Sequence, residues 1–202
     1  MRYLSASEVR EALPMSDCIE AMVQAFSGER DGQSRTKLGA SLVLLGRLNS
    51  YVSIKIVSTG PGDEAGIVAV FDATGNPLGL VDGPSVSAIR TGAAPGLATD
   101  VLADPDSSTL VMFGAGLMAP EQISAVRSVR PIERVLVWSR TAERARSLAE
   151  MVGGEVVTDP DQAVAEADVV STATRSTAPL FSAETLRPGA HVNAVGAFTP
   201  EM

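Results

Sequence analysis

The spacing of apolar residues changes character once along the chain. Residues 1–106 mix helical and strand periods. Ser5 and Glu8 stand three apart, the spacing of a reciprocal helix cap, and predict a short helix that Pro14 ends. Ser16 is expected to cap a second helix, in which Ile19, Met22, Val23 and Phe26 recur at i, i+3, i+4 and i+7 as one apolar stripe. Gly28 and Gly32 are expected to close it. Strand-like runs follow at 41–45 and 51–58. In the second, Val52, Ile54 and Ile56 alternate with Ser53 and Lys55, so Lys55 points away from the isoleucine face. Gly60-Pro61-Gly62-Asp63 reads as a turn. Runs at 67–71 and 78–81 predict paired strands joined through residues 73–77. Residues 85–102 are small and compatible with a helix, with a kink or break expected at Pro95-Gly96.

From residue 107 to 202, short apolar runs alternate with helical patterns. Strands are predicted at 109–113, 134–138, 155–157, 169–172 and 191–195. Helices are predicted from the glycines after Phe113 to about Val129, over 142–151, and after Asp159, which caps a helix with Pro160 in its first position. Strands alternating with helices imply a parallel sheet with right-handed crossovers. The chain is therefore an α/β protein: a doubly wound parallel sheet in 107–202, preceded by an α+β domain in 1–106.

Composition narrows the function. The 202 residues are 45% hydrophobic, enough for a buried core. Sixteen basic residues face 24 acidic ones, a net charge of −8, which argues against nucleic acid bound through its phosphates. Cys18 and His191 are single, so there is no intrachain disulfide, cysteine cluster or multi-histidine metal site. The opening MRYLSASEVR lacks the apolar stretch of a secretory signal. No apolar run reaches the roughly 18 residues that a membrane span needs. A cytoplasmic protein without membrane partners is the expectation.

The first chemical signal is Gly114-x-Gly116-x-x-Ala119, placed between a predicted strand and a predicted helix. Gly114 permits the tight turn, Gly116 lets backbone approach a pyrophosphate, and Ala119 still allows close helix–strand packing. Leu117 and Met118 lie in the same turn, whose helix N-terminus offers N–H donors. This is the Rossmann dinucleotide pattern. The alternative is an ordinary glycine turn. At the end of the next long strand an NAD site places a carboxylate for the ribose 2′-hydroxyl. Here Ser139, Arg140 and Thr141 stand instead, which favours NADP(H) over NAD(H), with NAD(H) possible. Thr174 and Ser176 follow another strand end, on the edge where a cofactor crevice opens.

The second signal is Lys55 within a strand and Arg90 within Ala88-Ile89-Arg90-Thr91-Gly92-Ala93. A buried lysine can do acid–base work, and an arginine can grip a carboxylate in bidentate fashion. Each has a plainer alternative: Lys55 facing solvent from a one-sided sheet, and Arg90 lying on a helix surface. Asp72 and Asp82 read as turn formers, and Asp63 and Glu64 as loop residues. Cys18 reads as a small helix residue, His191 as the start of a strand, and Trp138 as strand packing.

In order, the chain carries Lys55-Ile56-Val57, Asp72-Ala73-Thr74-Gly75-Asn76-Pro77-Leu78, Asp82-Gly83, Arg90-Thr91-Gly92-Ala93-Ala94, Gly114-Ala115-Gly116 and Asn193-Ala194-Val195-Gly196-Ala197. This order resembles the ornithine cyclodeaminase/mu-crystallin family over nearly the whole length. The resemblance implies a Rossmann domain set into a substrate and dimerisation domain, hence a homodimer acting on a small α-imino or α-amino acid. It implies that Lys55 is the acid–base group at the reacting carbon and that Arg90, with Arg35 as a second arginine, holds the substrate carboxylate. It places Thr91 near the cofactor phosphates, and Val195 and Gly196 on the cofactor side.

The departures from the family pattern discriminate among its activities. Cyclodeaminases carry an aspartate where this chain has Phe198, and a phenyl ring accepts no proton. No counterpart of a substrate-site glutamate precedes Lys55, the stretch between Gly62 and Val68 is short, and Pro95 falls in a normally helical place. Members continue beyond the position of Met202 and return to the first domain, so the resemblance implies a fragment or a missing part supplied otherwise. The expected activity is NAD(P)H-dependent reduction of a cyclic ketimine such as Δ1-pyrroline-2-carboxylate to L-proline. One alternative is ornithine cyclodeaminase, and another is a non-catalytic, crystallin-like NADP-binding protein.

Overall fold

The computed structural model describes residues 1–28, 30–32, 35–58, 65–196 and 200, with the backbone alone at 30–32. The turn expected at 60–63, together with Asp63, Glu64 and Phe198, lies outside the described residues. The chain forms two compact units, Met1–Arg90 and Thr91–Met202. Its elements begin with β1 (Arg2–Leu4), α1 (Ala6–Ala12), α2 (Met15–Ser27), β2 (Arg30–Gly32), β3 (Thr36–Leu38), β4 (Ser41–Leu48), β5 (Tyr51–Ser58), β6 (Gly66–Asp72), β7 (Pro77–Asp82) and α3 (Gly83–Leu102). Then come β8 (Thr109–Phe113), α4 (Ala119–Val129), β9 (Arg134–Trp138), α5 (Ala142–Val152), β10 (Glu155–Val156), α6 (Pro160–Glu166), β11 (Val169–Ala173), a 3-10 turn at Ala183–Thr185 and β12 (His191–Val195).

The first unit is built on a sheet ordered β1-β7-β6-β5-β4-β2, with β3 also paired to β4. Only β1 runs parallel to its neighbour, β7. The Ser5–Glu8 capping box starts α1 as expected. The cap of α2 differs from expectation. Pro14 occupies the N-cap, and Ser16 sits inside the first turn, donating to the Asp17 carboxylate at 3.1 Å. Pro14 fixes its own extended backbone and offers no side-chain cap bond. The apolar stripe of α2 is also not a uniform core face: Cys18 and Ile19 are buried, while Val23 and Phe26 are exposed. Gly28 ends α2, but Gly32 belongs to β2. The hairpin between β6 and β7 is held by Asp72, whose carboxylate accepts from Thr74 N, Thr74 Oγ1, Asn76 N and Asn76 Nδ2 at 2.7–3.0 Å. Those bonds, led by the Thr74 hydroxyl and the Asn76 amide, hold its pKa down to about 2. Asp82 likewise accepts from Ser85 N at 2.8 Å and starts α3. Both are turn formers.

Helix α3 runs unbroken through Pro95, against the sequence expectation. A proline inside a helix removes one hydrogen bond and costs about 3 kcal/mol. Packing outweighs that here. A Cβ on Gly92 would come within 2.7 Å of Glu121, so α3 and α4 meet at backbone distance. Ala93 and Thr99 are fully buried, and Thr99 Oγ1 donates to the Pro95 carbonyl at 2.8 Å. The two units divide inside this helix.

The second unit is a five-stranded, all-parallel sheet ordered β10-β9-β8-β11-β12. Strand β8 lies at its centre, and Leu110, Val111, Met112 and Phe113 are fully buried. Alternate side chains serve opposite faces. Leu110 and Met112 join the cluster against Ile123, Val126 and Leu148 of α4 and α5. Val111 and Phe113 join Ala163 and Val164 of α6 on the other face. This is the doubly wound α/β architecture expected, with its chemistry at the carboxyl ends of the strands.

Candidate functional site

In the second unit, the buried strand β8 delivers the chain into the glycine turn. Gly114 has φ +102°, and a Cβ there would lie 2.4 Å from the Ala173 carbonyl oxygen. Only glycine fits this crossing of the β8 and β11 ends. A Cβ on Gly116 would instead meet nothing within 4 Å. The backbone at Gly116 is therefore open on the side where a phosphate would approach. Ala119, fully buried, begins α4, and its N-cap residue Met118 makes no side-chain cap bond. The first-turn N–H groups thus have no capping side chain, the condition for anion binding at a helix N-terminus.

Beside this turn lies a cavity of about 610 Å³. Three strand ends line it: Gly114, Ala115 and Gly116 after β8; Trp138, Ser139, Arg140 and Thr141 at the end of β9, with Arg144 from the first turn of α5; and Thr174, Arg175 and Ser176 after β11. No aspartate or glutamate lines it. Arg140, Arg144 and Arg175 make no ion pair among the described residues. In a chain of net charge −8 this is a local concentration of uncompensated positive charge. A dinucleotide fits this cradle, with open backbone and a helix N-terminus for its pyrophosphate.

The sequence-predicted residues distribute unevenly here. Gly114, Gly116, Ser139, Arg140, Thr141, Thr174 and Ser176 line the cavity. Leu117 and Met118 do not, and Leu117 is exposed. Val195 lines a smaller neighbouring cavity with Thr172 and Phe181, Gly196 has φ +110°, and Thr91 is half-buried on α3. Arg144 and Arg175 escaped the sequence reading. The signal for Arg144 was its place in the first turn of the helix after Arg140. Trp138 packs on Phe113, with ring centroids 5.7 Å apart, and also walls the cavity.

In the first unit, Lys55 pairs in register with Leu44 and Val68 and points to the face covered by α3. Its Nζ donates to the Ser87 hydroxyl. That hydroxyl in turn donates to the Gly83 carbonyl. Lys55, Val57, Ser58, Ala65, Pro84 and Ser87 enclose a cavity of about 230 Å³. Arg90 lies one helical turn beyond Ser87 and so shares its face of α3. Arg90 is exposed over its length, yet its guanidinium is held below the ordinary arginine value. Loss of water around the group is the main cause, the charge of Arg35 adds to it, and Cys18 opposes it. Ser87 was missed by the sequence reading, although it precedes Arg90 by three residues.

The model of the ornithine cyclodeaminase/mu-crystallin family matches residues 48–202. The chain belongs to this family. It is 36% identical to a Δ1-pyrroline-2-carboxylate reductase of Bacillus cereus, in an alignment covering 100% of this chain and 70% of that one. Among solved structures it resembles the Δ1-pyrroline-2-carboxylate reductase of Thermococcus litoralis in complex with NADH and L-proline. The TM-score is 0.83 at 28% identity, over 95% of this chain and 68% of that one. It also resembles an archaeal alanine dehydrogenase dimer with bound NAD, with a TM-score of 0.84 at 25% identity, over 96% of this chain and 67% of that one.

Proposed function

We propose that this chain is an oxidoreductase that reduces a cyclic α-imino acid, Δ1-pyrroline-2-carboxylate foremost, to the amino acid. Its cofactor is a nicotinamide dinucleotide, which supplies the hydride when bound. The observation that carries the reading is the cationic constellation of the first unit. Arg90 feels the like charge of Arg35, and Lys55 of β5 is anchored on Ser87, one turn before Arg90 on α3. Arg90 and Arg35 hold the substrate carboxylate and so fix the adjacent carbon–nitrogen double bond. Lys55 holds the proton that the imine nitrogen takes as its carbon receives hydride. The relatives named as Δ1-pyrroline-2-carboxylate reductases support this substrate class.

NADP(H) is the cofactor this reading favours. Arg140, Arg144 and Arg175 line the cavity and no carboxylate does, which suits a ribose 2′-phosphate. The chain also acts as a homodimer in this reading. Leu45, Ile56 and Ile67 are 41%, 39% and 39% exposed, and share one face of the sheet turned away from Lys55. Contiguous exposed apolar surface of this kind marks an interaction site. The cytoplasm is the compartment the reading expects.

The test is loss of nicotinamide absorbance with Δ1-pyrroline-2-carboxylate, run beside an assay for ammonia released from ornithine. NADPH oxidation that Lys55→Ala and Arg90→Ala abolish supports the reductase. Ammonia release from ornithine supports the cyclodeaminase alternative, against which Phe198 argues from sequence. Dinucleotide binding with neither reaction points to a binding protein.

A further inference from the structure

Lys55 and Ser87 both line the cavity of the first unit. Its Nζ meets Ser87 on α3, and the Ser87 hydroxyl is already committed as donor to the Gly83 carbonyl. A hydroxyl has one proton and two lone pairs. With the proton spent on Gly83, Ser87 presents only an acceptor to Lys55, so the bond between them runs from the lysine to the serine. The Gly83 carbonyl is itself fixed by packing. A Cβ on Gly83 would fall 2.7 Å from Gly66 C and 2.9 Å from Ile67 N, so the first turn of α3 is pressed against β6. Ser87 is buried. A serine inside a helix often back-bonds to the carbonyl four residues earlier merely to satisfy itself. Here the same bond sets which way the hydroxyl faces across to β5.

We infer that Ser87 is a positioning residue, which holds the Lys55 ammonium at a set place relative to the carboxylate-binding Arg90 one turn along α3. The inference rests on the proposed role of Lys55 as the proton-holding group. It predicts a division of labour. Arg90 governs how tightly the imino acid binds, and Ser87 governs how well the bound molecule reacts. A misplacement of about 1 Å in such a group costs on the order of a hundredfold in rate.

The experiment compares Ser87→Ala, Ser87→Thr and Lys55→Ala in steady-state reduction of Δ1-pyrroline-2-carboxylate by NADPH. Circular dichroism and NADPH binding serve as controls for folding. Ser87→Ala is expected to lower kcat at least tenfold while KM for the imino acid moves less than about threefold. Ser87→Thr, which keeps the hydroxyl, is expected to recover most of kcat. A folded Ser87→Ala with unchanged kcat, or a folded Ser87→Thr that falls as far as the alanine variant, overturns the inference and leaves the proposed function standing. A Lys55→Ala variant as active as the wild type overturns both.

Discussion

Asn193 of β12 donates from Nδ2 to the hydroxyl of Thr99 on α3 at 2.9 Å, across 94 positions of sequence. The same amide nitrogen reaches Ser171 Oγ at 3.2 Å, and the amide oxygen meets His191 Nε2 at 3.0 Å. Asn193, Thr99 and Ser171 are all buried. The edge strand of the parallel sheet is thus tied to the helix that contains Pro95. Asn193→Leu is expected to destabilise the protein by about 1–3 kcal/mol, because it removes the buried amide donor to the Thr99 and Ser171 hydroxyl oxygens. Urea unfolding checks this. Thr99→Val and Asn193→Leu should combine to less than the sum of their separate effects, since they share one hydrogen bond.

Gly114 offers a test of the cradle itself. At φ +102° and with a Cβ 2.4 Å from the Ala173 oxygen, alanine is both strained and obstructed. Gly114→Ala is expected to abolish dinucleotide binding, read by titration calorimetry, and to lower the melting temperature. Gly116→Ala, where nothing of the protein lies within 4 Å, is expected to weaken binding while leaving the melting temperature unchanged.

The three arginines of the cavity predict a cofactor ratio rather than a single affinity. Arg140→Ala, Arg144→Ala and Arg175→Ala should each weaken NADPH more than NADH, by about tenfold for one lost charge-assisted contact. Added salt should weaken NADPH binding more steeply than NADH binding. Ser139→Asp should reverse the preference by restoring a carboxylate to the end of β9. Equal loss for both dinucleotides would count against 2′-phosphate recognition.

Asp168 predicts an acid sensitivity. Burial alone would raise its pKa, but the backbone N–H groups of Ser108 and Thr109, each at 2.9 Å, and the Arg187 guanidinium at 2.7 Å outweigh burial and lower it. A carboxyl whose folded pKa lies below its unfolded value stabilises the fold above the unfolded value of about 4. That contribution fades as pH falls below about 4 toward the folded value. Asp168→Asn should lower the melting temperature at pH 7 and flatten its decline below pH 4. Melting curves at several pH values would decide it.

The parallel sheet was legible because its strands are short, largely apolar runs set between helical patterns. Thr109–Phe113, Arg134–Trp138 and His191–Val195 agree with the sequence reading to the residue. The first unit was less legible. The three-residue strands β1, β2 and β3 carry too few positions to establish a period, and β1 owes its place to pairing with β7, far along the chain. Pro95 misled because local propensity weighs one lost hydrogen bond but not the Gly92–Glu121 approach that holds α3 in place. Among the site residues, the glycine turn, Lys55 and Arg90 were visible as types in context. Ser87, Arg144 and Arg175 were not, because serine and arginine on helices and loops are common and only the fold places them beside a cavity.

Trp138 is the chain's single tryptophan, and it stands at the wall of the dinucleotide cavity. All indole emission from this protein therefore originates at one known spot. A reduced nicotinamide cofactor seated in the cavity overlaps that emission and quenches it by energy transfer. Occupancy can then be followed in the unlabelled protein, and because Trp138 also packs at a tilt against Phe113, the same light reports on the integrity of the sheet beneath.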